Sequence, residues 1–124
     1  MSAYAATAPN AYRQSAVLTA PPERLVVLLY DGARRFLTQA AAAMKERRAD
    51  VAAERLTRAE AIIDELLATL DLSAGEVAEQ LQTLYLFFRR RLAEARVHQD
   101  AARVEEVIRL LAELRGAWAE IAGA

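Results

Sequence analysis

The chain has 124 residues, which is the length of a single domain, and its 16 basic and 17 acidic side chains give a formal charge of -1. This balance argues against a nucleic-acid partner, because such proteins usually concentrate positive charge. The sequence contains no cysteine, which excludes disulfides and thiolate metal sites. No apolar stretch approaches the roughly 20 residues of a membrane span, and we see no secretory signal at the start.

The first 20 residues are predicted to form a mostly irregular N-terminal arm. All three prolines of the chain and none of its glycines fall within residues 1–22. Tyr12 and Leu18 are apolar side chains among small and polar neighbours. Two interpretations stay open at this point: the arm is a frayed terminus, or it lies in a groove of the folded body when no partner is present.

Residues 21–124 are predicted to form one all-α domain. Apolar residues recur at alternating steps of three and four, which is typical of the buried faces of bundle helices. The period-two alternation of strands is absent. The predicted helices span about 22–46, 51–71, 75–98 and 101–122. Connections of two to five residues make neighbouring helices antiparallel, which predicts an up-down-up-down four-helix bundle.

Capping signals precede several of these helices. Ser73, with Glu76 three residues later, has the pattern of a capping box. Asp50 and Asp100 each precede an apolar-periodic run, as N-cap residues do. Pro22 suits the first turn of a helix, because the missing N–H group has no partner inside the helix in any case.

The first helix contains the stretch LVVLLYDGARRF at residues 25–36, which is apolar over more of its circumference than a bundle helix needs. Rotation by about 100° per residue gives two adjacent stripes that together cover roughly 200°, where about 100° suffices. We predict that one stripe faces the core and the other faces a groove for a partner. The predicted core stripe comprises Leu25, Leu29, Gly32, Phe36 and Ala43, and the predicted groove stripe comprises Val26, Tyr30, Ala33, Leu37 and Met44.

Each of these features has a second explanation. Four-helix cores have wide faces, and single exposed leucines are ordinary, whereas a line of anchors such as Val26, Tyr30 and Leu37 is typical of a groove for a helix or an extended peptide. Gly32 costs about 1 kcal/mol relative to alanine within a helix, which indicates either close helix packing or a ligand. Flanking apolar residues of the other helices are predicted to extend the groove: Ile62, Leu67, Leu86 and Phe87.

The sequence offers no catalytic or metal-binding set of residues. His98 is the only histidine, so the paired Glu-x-x-His motifs of a di-iron bundle are missing. Arg89, Arg90 and Arg91 fit a solvated face near a helix end better than a phosphate site. We therefore predict no enzymatic activity, no metal and no cofactor. Two alternatives are a small helical enzyme with an Arg/Glu-lined pocket and a structural bundle that self-associates through its apolar face.

A series of motifs, in order along the chain from Tyr12 to Trp118, resembles the FliS family of flagellar secretion chaperones. The LYDGA signature of that family is found at residues 29–33, and the family's lead into the first helix at residues 19–22. A run similar to L-x-RA-x-x-II-x-EL covers residues 56–66. Shorter matches follow at residues 69–71, 75–78, 84–85 and 90–95. Leu86 departs from the pattern, because an acidic residue is common there.

The resemblance implies a cytoplasmic four-helix bundle that binds the disordered C-terminal segment of flagellin. It implies that the chaperone prevents premature polymerisation of flagellin and delivers it to the flagellar type III export apparatus, with export gate components as further partners. It also gives the N-terminal arm a purpose, with Tyr12 and Leu18 covering part of the groove until flagellin displaces them.

Overall fold

The computed structural model describes residues 22–122, with side chains over residues 22–120. Four α-helices make up nearly all of this part: α1 (Pro22–Lys45), α2 (Ala49–Thr69), α3 (Glu76–His98) and α4 (Ala101–Ala122). No strand occurs within residues 22–122. The predicted all-α fold is confirmed, and Pro22 begins the first helix as expected. The predicted N-terminal arm, with Tyr12 and Leu18, lies outside the described residues.

The four helices form the predicted up-down-up-down bundle. α1 and α3 each pack against both α2 and α4, so α1 and α3 face each other diagonally across the core. The short connections at residues 46–48, 70–75 and 99–100 make successive helices antiparallel. The start of α1, the end of α2, the start of α3 and the end of α4 therefore lie at one end of the bundle, which we call the proximal end.

Small residues allow α1 to approach its neighbours most closely. The distance between packed helices depends on the side chains at their contact, and the contacts of α1 with α2 and α4 are closer than those made by α3. α3 instead buries the large side chains of Tyr85, Phe88 and Leu92. The small buried residues of α1 are Gly32, Ala33, Ala40, Ala41 and Ala43.

Gly32 lies where α1 meets α2. A Cβ atom at this position would be 3.2 Å from Cδ1 of Ile62, which is closer than the 3.5–4.0 Å or so at which two carbon atoms attract best. Of the two explanations offered by the sequence, close helix packing therefore accounts for the glycine.

α3 ends and α4 begins within two residues. Gln99 adopts a left-handed conformation with φ of 49°, and the N–H group of Asp100 donates to the carbonyl of Ala95 at 3.1 Å, which closes α3. The carboxylate of Asp100 then accepts a hydrogen bond of 3.0 Å from the N–H group of Ala102. Asp100 is thus the N-cap of α4, as predicted.

Asp50 was predicted to be the N-cap of α2, but it lies two residues after the cap position. α2 begins at Ala49, so Asp50 lies in its first turn, and the residue at the cap position is Arg48, which makes no side-chain capping bond. A carboxylate within the first turn still stabilises a helix, because it faces the positive end of the helix dipole.

The predicted capping box of Ser73 with Glu76 is also wrong. Ser73 belongs to a short 3₁₀ turn, and both its N–H group and its hydroxyl donate to the carboxylate of Asp71, at 3.1 and 2.5 Å. This local bonding competes with helix capping. The N-cap position of α3 is taken by Gly75, whose φ of 115° lies in a region that side chains disfavour.

Candidate peptide-binding surface

α1 buries the stripe that the sequence analysis assigned to a groove. Tyr30, Ala33 and Leu37 are each 0% exposed and belong to the central core. Leu25, Leu29 and Phe36, which were assigned to the core, are half-buried, and Leu29 and Phe36 pack against the outside of the core. The burial of these six residues is therefore the reverse of what was predicted. Met44, which was assigned to the groove, is buried as well, whereas Gly32 and Ala43 are buried as expected.

The exchange has a simple geometric cause. α1 packs closely against both α2 and α4, so its buried arc is wide and is centred on Tyr30 and Leu37. Leu29 and Phe36 lie one position earlier along the chain, about 100° away on a helix, and reach the margin of that arc. The wide buried arc matches the alternative explanation, that four-helix cores have wide faces, and leaves Leu29 and Phe36 half-buried beside it.

The remaining residues of the predicted groove lie on different sides of the bundle. Leu86 is 44% exposed on α3, and Phe87 beside it is half-buried under the guanidinium of Arg91, whose carbon lies 5.3 Å from the ring centroid. Of the predicted groove residues on α1 and α2, Val26, Ile62 and Leu67 are half-buried.

The proximal end of the bundle carries two adjacent open pockets, which together we call the end cavity. Their volumes are about 290 and 260 Å³, and both are lined by Val26, Thr69 and Trp118. Each of these three residues comes from a different helix terminus, which explains why they converge here. The first pocket is further lined mainly by Pro22, Glu23, Leu25 and Leu29, and the second by Asp71, Val77, Leu81 and Tyr85.

The wall of the end cavity is chiefly apolar. Thr69 turns its hydroxyl back to the carbonyl of Leu66 at 2.8 Å, so it adds little free hydrogen-bonding capacity. Val77, at 69% exposed, adds apolar surface at the rim. Cavities with this lining suit apolar groups, because burial of apolar surface is favourable and non-directional.

A second apolar surface continues from the end cavity along the junction of α1 and α2. We call it the α1–α2 shoulder, and it consists of Leu25, Leu29, Ile62 and Phe36, all half-buried. The first two residues also line the end cavity, so the two surfaces are continuous. From Leu25 to Phe36 the shoulder extends about 16 Å, at 1.5 Å per helical residue.

Phe36 ends the shoulder between two arginines. The guanidinium carbons of Arg35 and Arg58 each lie 5.8 Å from the centroid of its ring, within the range of cation–π attraction. The far end of the shoulder is therefore apolar at its centre and positively charged at its margin.

Two tyrosines meet across the core next to the end cavity. The hydroxyl oxygens of Tyr30 and Tyr85 are 2.6 Å apart, and their rings are arranged edge to face at 6.4 Å. Burial raises the pKa of Tyr30 far above its usual value, and the hydrogen bond to Tyr85 adds to this effect. Burial likewise raises the pKa of Tyr85. The pair stays uncharged at neutral pH and joins the diagonal helices α1 and α3.

Ion pairs connect the helices on the outside of the bundle. Glu60 of α2 bonds to Arg96 at 2.6 Å and to Arg89 at 3.1 Å, both on α3. Asp31 of α1 pairs with Arg115 of α4 at 3.1 Å. These arginines are used between helices, and the described part of the chain contains no group of three or more His, Asp or Glu side chains placed to hold a metal ion.

Sequence reasoning missed Trp118 as a residue of the site. Its side chain lies half-buried in the wall of both pockets. The signal that could have identified it is the antiparallel topology, which brings helix termini near residues 26, 69 and 118 together.

Among residues 22–122, no helix is both long and apolar enough to cross a membrane.

Comparison with known proteins identifies close relatives. The family model described as "Flagellar protein FliS" matches residues 4–124. The chain is 38% identical over 124 residues to the flagellar secretion chaperone FliS of Salmonella typhimurium, which covers 95% of this chain and 92% of the relative. The protein of the same name from Bacillus subtilis is 33% identical over 88% of this chain and 81% of its own length. The one from Escherichia coli is 35% identical over 94% of this chain and 90% of its own length. All three relatives are named as flagellar secretion chaperones, a non-enzymatic family.

Proposed function

Since this chain belongs to the FliS family of flagellar secretion chaperones, we propose that it binds the C-terminal segment of flagellin. In this proposal the chaperone holds that segment in the cytoplasm, prevents premature polymerisation and delivers flagellin to the flagellar type III export apparatus, where export gate components are further partners. It acts by binding and release, and the family is not one of enzymes.

The observation that carries the proposal is the continuity of the end cavity with the α1–α2 shoulder. Trp118, Leu25 and Leu29 line one pocket, and Phe36 is half-buried on the same face of α1 about two turns further along. Covering them contributes about 25 cal/mol per Å² of apolar area. Ordering an unstructured client offsets much of that gain, so the client is held and can still be released.

Of the residues first predicted for the groove, the proposal retains Val26 and Ile62. Val26 lines both pockets, and Ile62 belongs to the shoulder. Leu67, Leu86 and Phe87 are proposed to contact client segments that extend beyond this surface around the bundle. Tyr30, Ala33 and Leu37 are assigned to the core that supports it.

We also propose that the N-terminal arm covers the end cavity when flagellin is absent. Pro22 lines the cavity and begins α1. Leu18 precedes Pro22 by four residues, a reach of at most about 14 Å, so its side chain is within range of the pockets. Tyr12 and Leu18 would supply the apolar groups that the client later replaces.

A pair of matched variants on α3 tests the proposal. Val77 and Val97 are of the same residue type and are 69% and 76% exposed, but only Val77 lines the end cavity, and Val97 lies near the other end of the helix. Val77→Asp should weaken binding of a flagellin C-terminal peptide at least about tenfold, because a carboxylate would be desolvated in the complex. Val97→Asp should bind as the unaltered chain does.

Isothermal titration with the peptide measures both variants, and thermal melts establish that both are folded. Equal affinities of the two variants would place the client elsewhere, and no binding to the unaltered chain would contradict the proposed function. Sedimentation of the free chain separately tests the self-associating bundle.

A further inference from the structure

The Tyr30–Tyr85 pair has one more hydroxyl proton than its own hydrogen bond uses. Two phenols carry two protons, and the bond between their oxygens takes one of them. No described residue accepts a hydrogen bond from the second hydroxyl. The second proton is thus buried beside the end cavity without an acceptor in this part of the chain, an arrangement that costs free energy unless an acceptor is supplied.

The surroundings indicate which hydroxyl offers this proton. Tyr85 lines the second pocket, whereas Tyr30 does not. Either oxygen of the pair can be the donor. An acceptor that enters the second pocket meets Tyr85, so the arrangement that serves it is the one in which Tyr30 donates to Tyr85 and Tyr85 donates to the acceptor.

The polar groups around the cavity select the chemistry of the acceptor. Glu23 lines the first pocket and Asp71 the second, and no Lys, Arg or His is among the described residues that line either pocket. A carboxylate from a ligand would be repelled by these acidic groups and left without a counter-ion. A neutral carbonyl oxygen meets neither obstacle, and every peptide segment carries one at each residue.

We propose that a backbone carbonyl of the bound flagellin segment accepts the free hydroxyl proton of the Tyr30–Tyr85 pair, while a neighbouring apolar side chain of that segment fills the end cavity. This inference rests on the proposed function, and it assigns a polar contact to the end cavity, whose proposed contacts with the client are otherwise apolar. Apolar burial has no preferred direction, so a directed hydrogen bond fixes which residue of the client enters the cavity.

Two conservative variants separate this contact from a structural role. Tyr85→Phe removes the donor and should weaken binding of a flagellin C-terminal peptide about threefold to tenfold, the effect of one ordinary hydrogen bond. Tyr30→Phe leaves the Tyr85 hydroxyl free to donate and should bind the peptide equally well or more tightly. Unchanged binding by Tyr85→Phe, or equal weakening in both variants, would overturn the inference.

The measurements use the full chain and a peptide that lacks tryptophan. Titration calorimetry gives the affinities, and emission of Trp118, the only tryptophan in the chain, reports occupation of the cavity that it lines. No binding to the unaltered chain overturns the proposed function and this inference together, whereas full affinity in Tyr85→Phe overturns only the inference.

An isotope-edited infrared experiment keeps the proposal testable if Tyr85→Phe does not fold. Peptides carrying a ¹³C=O label at one position each are bound to the unaltered chain. In the complex, one labelled carbonyl should absorb at lower frequency than a carbonyl that is buried without a donor, because hydrogen bonding weakens the C=O bond. Its residue should be next to the apolar residue whose replacement by alanine abolishes the change in Trp118 emission. A shift at no position beside that residue would overturn the proposal.

Discussion

The Cδ1 atom of Ile62 on α2 lies 3.2 Å from the place that a Cβ atom on Gly32 of α1 would occupy. This relationship explains a glycine in the middle of a helix by the approach of a neighbouring helix. It also marks the point along the α1–α2 shoulder where Ile62 of α2 lies close to the backbone of α1. The contact is with the flexible end of a half-buried side chain, so it is adjustable.

Replacing Gly32 with alanine should change stability little. The better helix propensity of alanine contributes about 1 kcal/mol, and displacement of Ile62 offsets it. In an Ile62→Val background, which lacks the Cδ1 atom, the same replacement should be clearly more favourable. Urea denaturation of the four chains in a double-mutant cycle measures the coupling.

Gly116→Ala is the matched control for this cycle. A Cβ atom at Gly116, on α4, would meet nothing within 4 Å, so the replacement should stabilise by up to about 1 kcal/mol in both backgrounds. If Gly32→Ala also gave the same change in both backgrounds, the packing explanation for Gly32 would be wrong.

Charged substitutions at two consecutive positions test the exchanged stripes of α1. Leu37→Asp should unfold the bundle or cost at least about 3 kcal/mol, because an unpaired carboxylate would be placed in the core. Phe36→Asp should cost much less, since its side chain is half-buried between Arg35 and Arg58, and should weaken binding of the flagellin peptide. Thermal melts measure the stability of both variants, and calorimetric titration measures their affinity for the peptide. Leu37→Met is the control for packing, with an expected cost below about 1.5 kcal/mol. A near-normal melting temperature for Leu37→Asp would contradict the assignment of the stripe of Tyr30, Ala33 and Leu37 to the core.

The ion pairs of Arg89 allow a comparison of a nearly buried carboxylate with an exposed one. Glu60 and Asp64 both pair with Arg89, at 3.1 and 3.0 Å, but their side chains are 15% and 56% exposed. Glu60→Gln should cost about 1–3 kcal/mol, because Arg96 also loses its partner. Asp64→Asn should cost less than about 0.5 kcal/mol. Denaturant unfolding measures both, and equal costs would show that burial does not decide the strength of these pairs.

High pH should destabilise the protein through the tyrosine pair. Burial holds the pKa of Tyr30 and of Tyr85 above the value of about 10 that they have in the unfolded chain. Their contribution to stability is complete below pH 10. Above it the unfolded chain loses protons that the folded chain keeps, so the free energy of unfolding should fall as the pH rises, by at most about 1.4 kcal/mol per pH unit for each tyrosine.

The pH dependence is measured by urea denaturation between about pH 9 and 11, about one unit either side of the usual tyrosine pKa. The double variant Tyr30→Phe with Tyr85→Phe, if folded, should have the shallower slope. Equal slopes for the two chains would mean that the buried pair ionises as easily in the folded state as in the unfolded one.

Deletion of residues 1–18 tests the proposed role of the N-terminal arm. If the arm competes with flagellin for the end cavity, the shortened chain should bind the peptide more tightly, because the competitor is gone. Trp118 emission of the free protein should change as well. Weaker binding would mean that the arm contributes contacts to the client, and unchanged binding would make it a frayed terminus.

The sequence by itself determined the fold of the described region and the family of the chain. Apolar steps of three and four, helix-breaking residues and short connections are local signals, and each helix end was predicted within two residues. The order of motifs around LYDGA identified the family, which the comparisons confirm. The cap at Asp100 was also predictable, since a carboxylate directly before an apolar-periodic run needs only the following N–H groups as partners.

Only the tertiary structure decided which apolar stripe of α1 faces the core and where the open surface lies. Residue type does not distinguish the two stripes, because Phe36 and Leu37 are both large and apolar. Their burial depends on where α2 and α4 approach α1. The end cavity likewise arises from termini that are far apart in sequence, with Val26, Thr69 and Trp118 brought together by the antiparallel topology. Apolar periodicity predicts the buried face of a helix only to within about one residue, or 100°. Which of two adjacent stripes is buried depends on how the neighbouring helices pack.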